Sequence, residues 1–158
     1  MAKVITGERI GKQGRLAIGC SAAVFDESHQ RILLIRRADN GRWAVPGGYM
    51  EAGESMTEAC AREVLEETGL HVRVERLISA YTNPHLLLEY PDGNRLQFVV
   101  LHFEAEPIGG SLSRSDESSE LQFFSQAETA NLDIGPLDRL RITDAFTAQE
   151  AAIVRDEF

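Results

Sequence analysis

Only two cysteines, Cys20 and Cys60, occur in 158 residues, which excludes a small scaffold stapled by disulfides. Both read as reduced, small packing residues without a catalytic or zinc-binding role. No apolar run approaches 18 residues, so no membrane-spanning helix is expected. The N-terminal stretch MAKVITGERIGKQGR lacks the apolar core of a signal peptide, and the expected location is the cytoplasm. Basic residues are scarce: 16 Lys and Arg stand against 25 Asp and Glu, for a formal net charge of −9. That balance argues against a nucleic-acid partner, which would require a basic face. No repeat, low-complexity tract or Pro/Ser-rich linker divides the chain, so one domain over residues 1–158 is expected. No Asp-x-Asp-x-Asp-Gly loop is present, which argues against a calcium-binding module.

What is present begins with apolar strands. Residues 16–25, LAIGCSAAVF, predict a buried strand, and Arg31–Ile35 a second one after a turn at Asp26–Gln30. Ala38-Asp39-Asn40-Gly41 reads as another turn, Trp43–Val45 as a short strand, and Pro46-Gly47-Gly48 as its break. A helix is expected from Ser55 or Gly53 as N-cap to Thr68, with Gly69 just past its end. Its buried side is expected to be Ala61, Val64 and Leu65, with Thr57 and Thr68. His71–Tyr81 alternates as a strand, and Leu86–Tyr90 with Leu96–Phe103 predicts a hairpin across Pro91-Asp92-Gly93-Asn94. Leu121–Phe124 reads as a short strand, and Pro136–Thr147, continuing toward Arg155, as a closing helix. Strands with a helix inserted between them, then a terminal helix, predict an α/β/α sandwich around a mixed sheet.

The stretch Gly48–Leu70 concentrates charge. It holds Glu51, Glu54, Glu58, Glu63, Glu66 and Glu67 against a single base, Arg62, and so carries five of the nine net negative charges. Glu63, Glu66 and Glu67 fall at i, i+3 and i+4, which a helix brings onto one face. Like charges so spaced destabilise a helix by roughly 0.2–0.5 kcal/mol per pair, which points to a bound cation. If the ligand is a phosphate anion, the overall negative field repels it, so local cations must reverse the sign at the site.

The order of these residues is Gly-x5-Glu-x7-Arg-Glu-aliphatic-x-Glu-Glu-x-Gly-aliphatic, from Gly48 through Glu54, Arg62, Glu63, Val64, Glu66, Glu67 and Gly69 to Leu70. A chance match somewhere in the chain is on the order of one in ten million at average residue usage. The stretch resembles the Nudix box of the Nudix hydrolases at every defined position, and the predicted element order is similar to the Nudix fold. The resemblance implies hydrolysis of the pyrophosphate linkage in a nucleoside diphosphate joined to another moiety, with magnesium as cofactor and manganese as a substitute. It implies Glu63, Glu66, Glu67 and the Gly48 carbonyl as metal ligands. Glu54 and Arg62 are expected to be structural, a forked ion pair bracing the loop against the helix. Relatives are often dimers, so a homodimer is an implied partner beside the nucleotide substrate.

Members differ in the carboxylate that takes the proton from water. Glu63 would be the match within the box, while Glu117 and Glu120 in the polar stretch 113–120 are the candidates from a later loop. Arg36 and Arg37 either meet phosphates or cap a strand. Tyr81 is a candidate substrate contact, and Asn83, Phe98 and Phe103 either join it at a base or sugar pocket or belong to the core. Trp43 is assigned to the core, and His85 and His102 are not at metal-ligand spacing. Pro84 lies fourteen residues past Leu70, near but not at the position where ADP-ribose-cleaving relatives often carry a proline. A nucleotide sugar such as ADP-ribose is the leading substrate. The alternatives are a housecleaning nucleoside triphosphate pyrophosphatase and a nucleotide-binding regulatory domain without turnover.

Overall fold

A computed structural model of the protein describes residues 2–147 and 149–158. Its strands are β1 (Lys3–Thr6), β2 (Arg15–Val24), β3 (Arg31–Arg37), β4 (Trp43–Ala44), β5 (Gly47–Tyr49), β6 (Leu70–Thr82), β7 (Leu86–Glu89), β8 (Arg95–Gly110), β9 (Ser118–Ser125) and β10 (Ile153–Arg155). The α-helices are α1 (Met56–Thr68), α2 (Gln126–Thr129) and α3 (Pro136–Phe146), and a 3-10 turn covers Ile10–Gln13. Seven strands form the main sheet, in the order β1-β7-β8-β2-β5, with β6 on β8 and β10 on β6. The pairs β2–β8 and β6–β10 are parallel and the others antiparallel, so the sheet is mixed. A second sheet has the order β4-β3-β9.

Alternation along β2 divides the core into two layers. Cys20, Ala22 and Val24 face α1, where they pack with Ala59, Cys60, Val64, Leu70 and Phe103. Ala23 faces the other way, into a cluster with Ile32, Leu34, Trp43, Phe124, Ile142 and Ala145 that joins the second sheet to α3. The sandwich thus has α1 on one face of the main sheet and α3 on the other.

The box helix begins on a reciprocal cap. Ser55 Oγ accepts from Glu58 N–H at 3.2 Å, and the Glu58 carboxylate accepts from Ser55 N–H at 2.7 Å, which satisfies two otherwise orphaned donors. It ends at Gly69, whose φ of 76° lies in the left-handed region that glycine adopts without a Cβ penalty. The buried stripe differs from the expected one. Ala59, Cys60, Val64 and Thr68 are buried, whereas Leu65 is 38% exposed and Thr57 is also exposed. Two small residues, Ala59 and Cys60, let the helix sit closely enough on β2 for the Cys60 thiol to reach the Ser21 carbonyl at 3.6 Å. That rotation turns Leu65 outward.

Four other expectations change. The short strand β4 ends at Ala44, ahead of the expected break at Pro46-Gly47-Gly48, but Gly47–Tyr49 then forms a further strand, β5, paired antiparallel with Gly19–Ser21. The closing helix stops at Phe146, and Ile153–Arg155 is a strand parallel to Ser79–Tyr81; Ala148, within the expected continuation, lies outside the described residues, as does Met1. β8 runs on to Gly110, seven residues beyond Phe103, because it pairs with β2 as far as Ala105 and with β6 on to Gly110. β1 was not expected, and it forms by pairing with β7. Among the described residues no helix is long and apolar enough to cross a membrane.

Candidate active site

The edge strand β5 and the helix α1 enclose the box carboxylates. A Cβ on Gly48 would lie 2.5 Å from the Glu63 carboxylate, so glycine is required for that group to sit against the strand backbone. One residue earlier, Gly47 N–H donates to Glu67 Oε2 at 2.8 Å. Glu63 and Glu67 therefore point between helix and strand, while the Glu66 side chain is 58% exposed at the rim.

Arg62 organises this cluster. Its guanidinium forks onto Glu54, with Nε 2.5 Å from Oε1 and Nη2 3.0 Å from Oε2. It also reaches Glu63 Oε1 at 2.8 Å, Glu66 Oε2 at 3.2 Å and the Tyr49 carbonyl at 2.9 Å. The fork holds the Glu54 carboxyl down at about 2, because a charge-assisted bidentate bond favours the ionised form. Glu63 and Glu67 shift the other way. Burial, ahead of the opposing pull of Arg62, raises Glu63. Burial also pushes Glu67 up to about 7, with Glu63 and Glu117 adding to it and the Gly47 N–H opposing it. These carboxylates are crowded, partly dry and short of positive charge.

The cluster opens into a cleft of about 1480 Å³ whose lining includes Glu63, Glu66, Glu67, Arg37, Glu117, Asp138 and Arg141. That volume exceeds the common range for small-ligand sites and has room for a two-part substrate. Arg37, at the end of β3, is held by Asp39 through two bonds of 2.9 and 2.7 Å. Asp138 on α3 accepts from Val45 N–H at 3.1 Å and from Arg141 at 2.9 Å, which ties α3 to the segment entering β5. The loop after β8 is pinned to the end of α1 by the Ser113 N–H bond to the Thr68 carbonyl, 2.8 Å. It returns past Ser115 and Asp116 to place Glu117 in the cleft.

The structure brings together Gly48, Glu63, Glu66, Glu67, Arg37 and Glu117, with Glu54 and Arg62 beside them. It does not bring Arg36 or Glu120 into the cleft. These two pair across β3 and β9 at 2.6 Å, on the far face from Arg37, as strand alternation dictates. Tyr81 is corrected outright: it is fully buried, 0% exposed, and its hydroxyl donates to Asp144 and accepts from Ser79, each at 2.7 Å. Phe103 belongs to the core and Phe98 lines the cleft. Asn83 lies in the turn after β6, bonded to the Phe158 carbonyl, and the neighbouring Pro84 carbonyl accepts from Gly11 N–H. Asp39, Asp138, Arg141, Tyr49 and Tyr90 were not singled out from the sequence. They belong to turns, strand ends and a helix, and come together only through long-range packing.

A divalent cation is the group this donor set suits. Carboxylate and carbonyl oxygens are hard ligands, and the bare Cα of Gly48 leaves room for the Glu63 carboxylate against the strand. Among the described residues, no three His, Cys, Asp or Glu side chains already converge as a finished ligand cluster. Arg62 instead supplies the positive charge between Glu63 and Glu66.

Comparison with known proteins places the chain in a family. The NUDIX domain profile matches residues 15–146. An ADP-ribose pyrophosphatase of Methanocaldococcus jannaschii is 38% identical over 128 residues, covering 78% of this chain and 72% of that protein. A MutT-like protein of Streptomyces ambofaciens is 35% identical over 124 residues, 78% of this chain and 73% of its own. The crystal structure of a NUDIX hydrolase from Nitrosomonas europaea superimposes with a TM-score of 0.72 at 22% identity, over 91% of this chain and 80% of that one, a likeness of fold. The chain belongs to the Nudix hydrolase family, divalent-metal-dependent enzymes that hydrolyse the pyrophosphate linkage of nucleoside diphosphate-linked substrates.

Proposed function

We propose that this domain hydrolyses a nucleotide sugar of the ADP-ribose type to a nucleoside monophosphate and a sugar phosphate, with magnesium and with manganese as a substitute. The observation that carries the reading is the pair Glu63 and Glu67, pressed against the glycine backbone of β5 at the mouth of a cleft that Arg37 also lines. Similarity to the archaeal ADP-ribose pyrophosphatase supports the substrate class.

Glu63, Glu66, Glu67 and the Gly48 carbonyl would hold the cation. Bound there, it neutralises the phosphate oxygens and makes water a better nucleophile. Arg37 lies on the cleft wall, and with Asp39 taking its Nε and Nη2 the Nη1 edge is left for a phosphate. Glu117 is the group that takes the proton from the attacking water. It lines the cleft close enough to raise both Glu63 and Glu67, and Glu63, the alternative, has Oε1 committed to Arg62. Glu54 with Arg62 braces the loop and does not touch substrate. The negative charge of the chain is thus reversed locally by cation, Arg37 and Arg62.

The deciding experiment is a product screen over nucleotide sugars, dinucleoside polyphosphates and nucleoside triphosphates with Mg2+ present. AMP and ribose 5-phosphate from ADP-ribose are expected. Pyrophosphate from triphosphates as the dominant product would move the substrate class, and no product from the whole panel would remove the hydrolytic reading.

A further inference from the structure

The cleft has a second arm with a different chemistry. β5 is the edge of the main sheet, and its pleat puts Gly48 over the carboxylates and Tyr49 on the opposite face. A substrate crossing that edge meets charge first and aromatic surface next. The arm is lined by Tyr49, Phe98, Tyr90, Gly19, Val100 and Leu88. The rings of Tyr49 and Phe98 have centroids 5.2 Å apart at an interplanar angle of 37°, and the Tyr49 and Tyr90 hydroxyls are hydrogen-bonded to each other.

Gly19 gives this arm its floor. In the ladder it sits between Tyr49 on one side and Val100 on the other. A Cβ there would find its nearest atoms at 3.7 and 3.8 Å, so glycine leaves a shallow hollow between larger neighbours. None of these six residues carries a charge, and their two phenol hydroxyls pair with one another, leaving a single O–H to donate elsewhere. A phosphate would be undersolvated here, and a sugar would find one phenol O–H for its several hydroxyls. A flat heteroaromatic ring loses nothing on its faces and gains stacking.

We propose that this arm takes the nucleobase of the substrate by stacking, without reading its hydrogen-bonding edge, so that the enzyme is tolerant of the base. The inference rests on the function proposed above. Sites that select a base by its edge keep unpaired donors and acceptors for it and reject the wrong partner steeply. Stacking on an aromatic face is available to every base, at roughly five- to a hundredfold in affinity per stacked ring.

Saturation-transfer NMR with AMP as the probe tests the arm independently of turnover. The wild type should transfer saturation more strongly to the base protons of AMP than to its ribose protons. GMP and UMP should displace AMP with affinities within about tenfold of its own. Phe98→Leu and Tyr90→Leu should each weaken AMP binding, roughly five- to a hundredfold; Tyr90 lies at the start of a turn, so its variant answers the question if the Phe98 variant folds poorly. Base protons no better saturated than ribose, AMP binding unchanged in a folded variant, or rejection of GMP or UMP by more than a hundredfold would each overturn the proposal. Stacked AMP in an enzyme that turns over no nucleotide sugar would support the arm while removing the substrate class proposed above.

Discussion

At the scale of single residues, Glu67 is held where an ionised carboxylate is costly. It is covered, faces the fields of Glu63 and Glu117, and receives the Gly47 N–H as partial relief. Its carboxyl, raised from 4.5 to about 7, favours folding fully below pH 4.5, and that contribution is lost as pH rises through 7. Glu67→Gln keeps an acceptor for Gly47 and removes the charge. In EDTA the variant should therefore melt above the wild type at pH 8, and the two should converge toward pH 4.5. The same substitution, and Glu66→Gln, should lower kcat at least about 100-fold in Mg2+, as expected when charge stabilisation at a reacting phosphate is removed. A variant that is active and no more stable at pH 8 would contradict both the strain and its purpose. None of the burial behind this was legible in the sequence, which reveals the spacing of the three glutamates but not that Glu66 is at the rim while Glu63 and Glu67 are pressed inward.

At the scale of elements, α1 is the part read best from sequence. Its cap, its end at Gly69 and its acidic register are all local, so short-range chemistry fixes them. Ser55→Ala removes one half of the reciprocal cap and should cost about 1 kcal/mol in chemical denaturation, with no change in the products formed. The expectation fails if stability is unaltered. The rotation of the same helix was read one step off, because it depends on what β2 offers: small Ala59 and Cys60 set the closest approach, and Leu65 turns outward. Pro46-Gly47-Gly48 reads as a break, which it is for β4, but β5 is illegible there because two glycines weaken a strand in isolation. Here the pairing with Gly19–Ser21 supplies the ladder, and the glycines let Glu63 and Ser21 come close. Likewise β1 and β10 carry weak patterns and exist through partners distant in the chain.

Across the whole molecule, the two faces of the main sheet do different work. The α1 face supplies carboxylates, and the α3 face supplies anchors that hold the cleft open and positioned. The far side contains a buried polar seam. His102, fully buried, bonds Ser21 Oγ at 2.8 Å, and Asp144 takes both the Arg155 fork at 2.7 and 2.9 Å and the Tyr81 hydroxyl. Burial lowers the His102 imidazole from 6.5 to about 3, so its contribution to stability is present above pH 6.5 and is lost as pH falls toward 3. Between pH 6.5 and 5 the wild type should lose stability relative to His102→Gln at a rate that steepens toward about 1.4 kcal/mol per pH unit, measured by urea unfolding. Glu67 has the opposite sign in that window but is common to both proteins. Parallel slopes would show that His102 titrates normally. The burial of Tyr81 is illegible in the sequence for the same reason the seam is: its partner Asp144 is 63 residues away.

The central claim is that the box carboxylates on β5 and α1 bring a divalent cation to a pyrophosphate bond. It is tested most directly by 31P NMR of ADP-ribose with the protein in 18O-enriched water, before and after addition of Mg2+. The account predicts no change without the cation. After addition, the two linked-phosphate signals should disappear as two monophosphate signals grow, one of them carrying the 18O isotope shift. Linked-phosphate signals that persist at saturating Mg2+, or that disappear equally in EDTA, would contradict it.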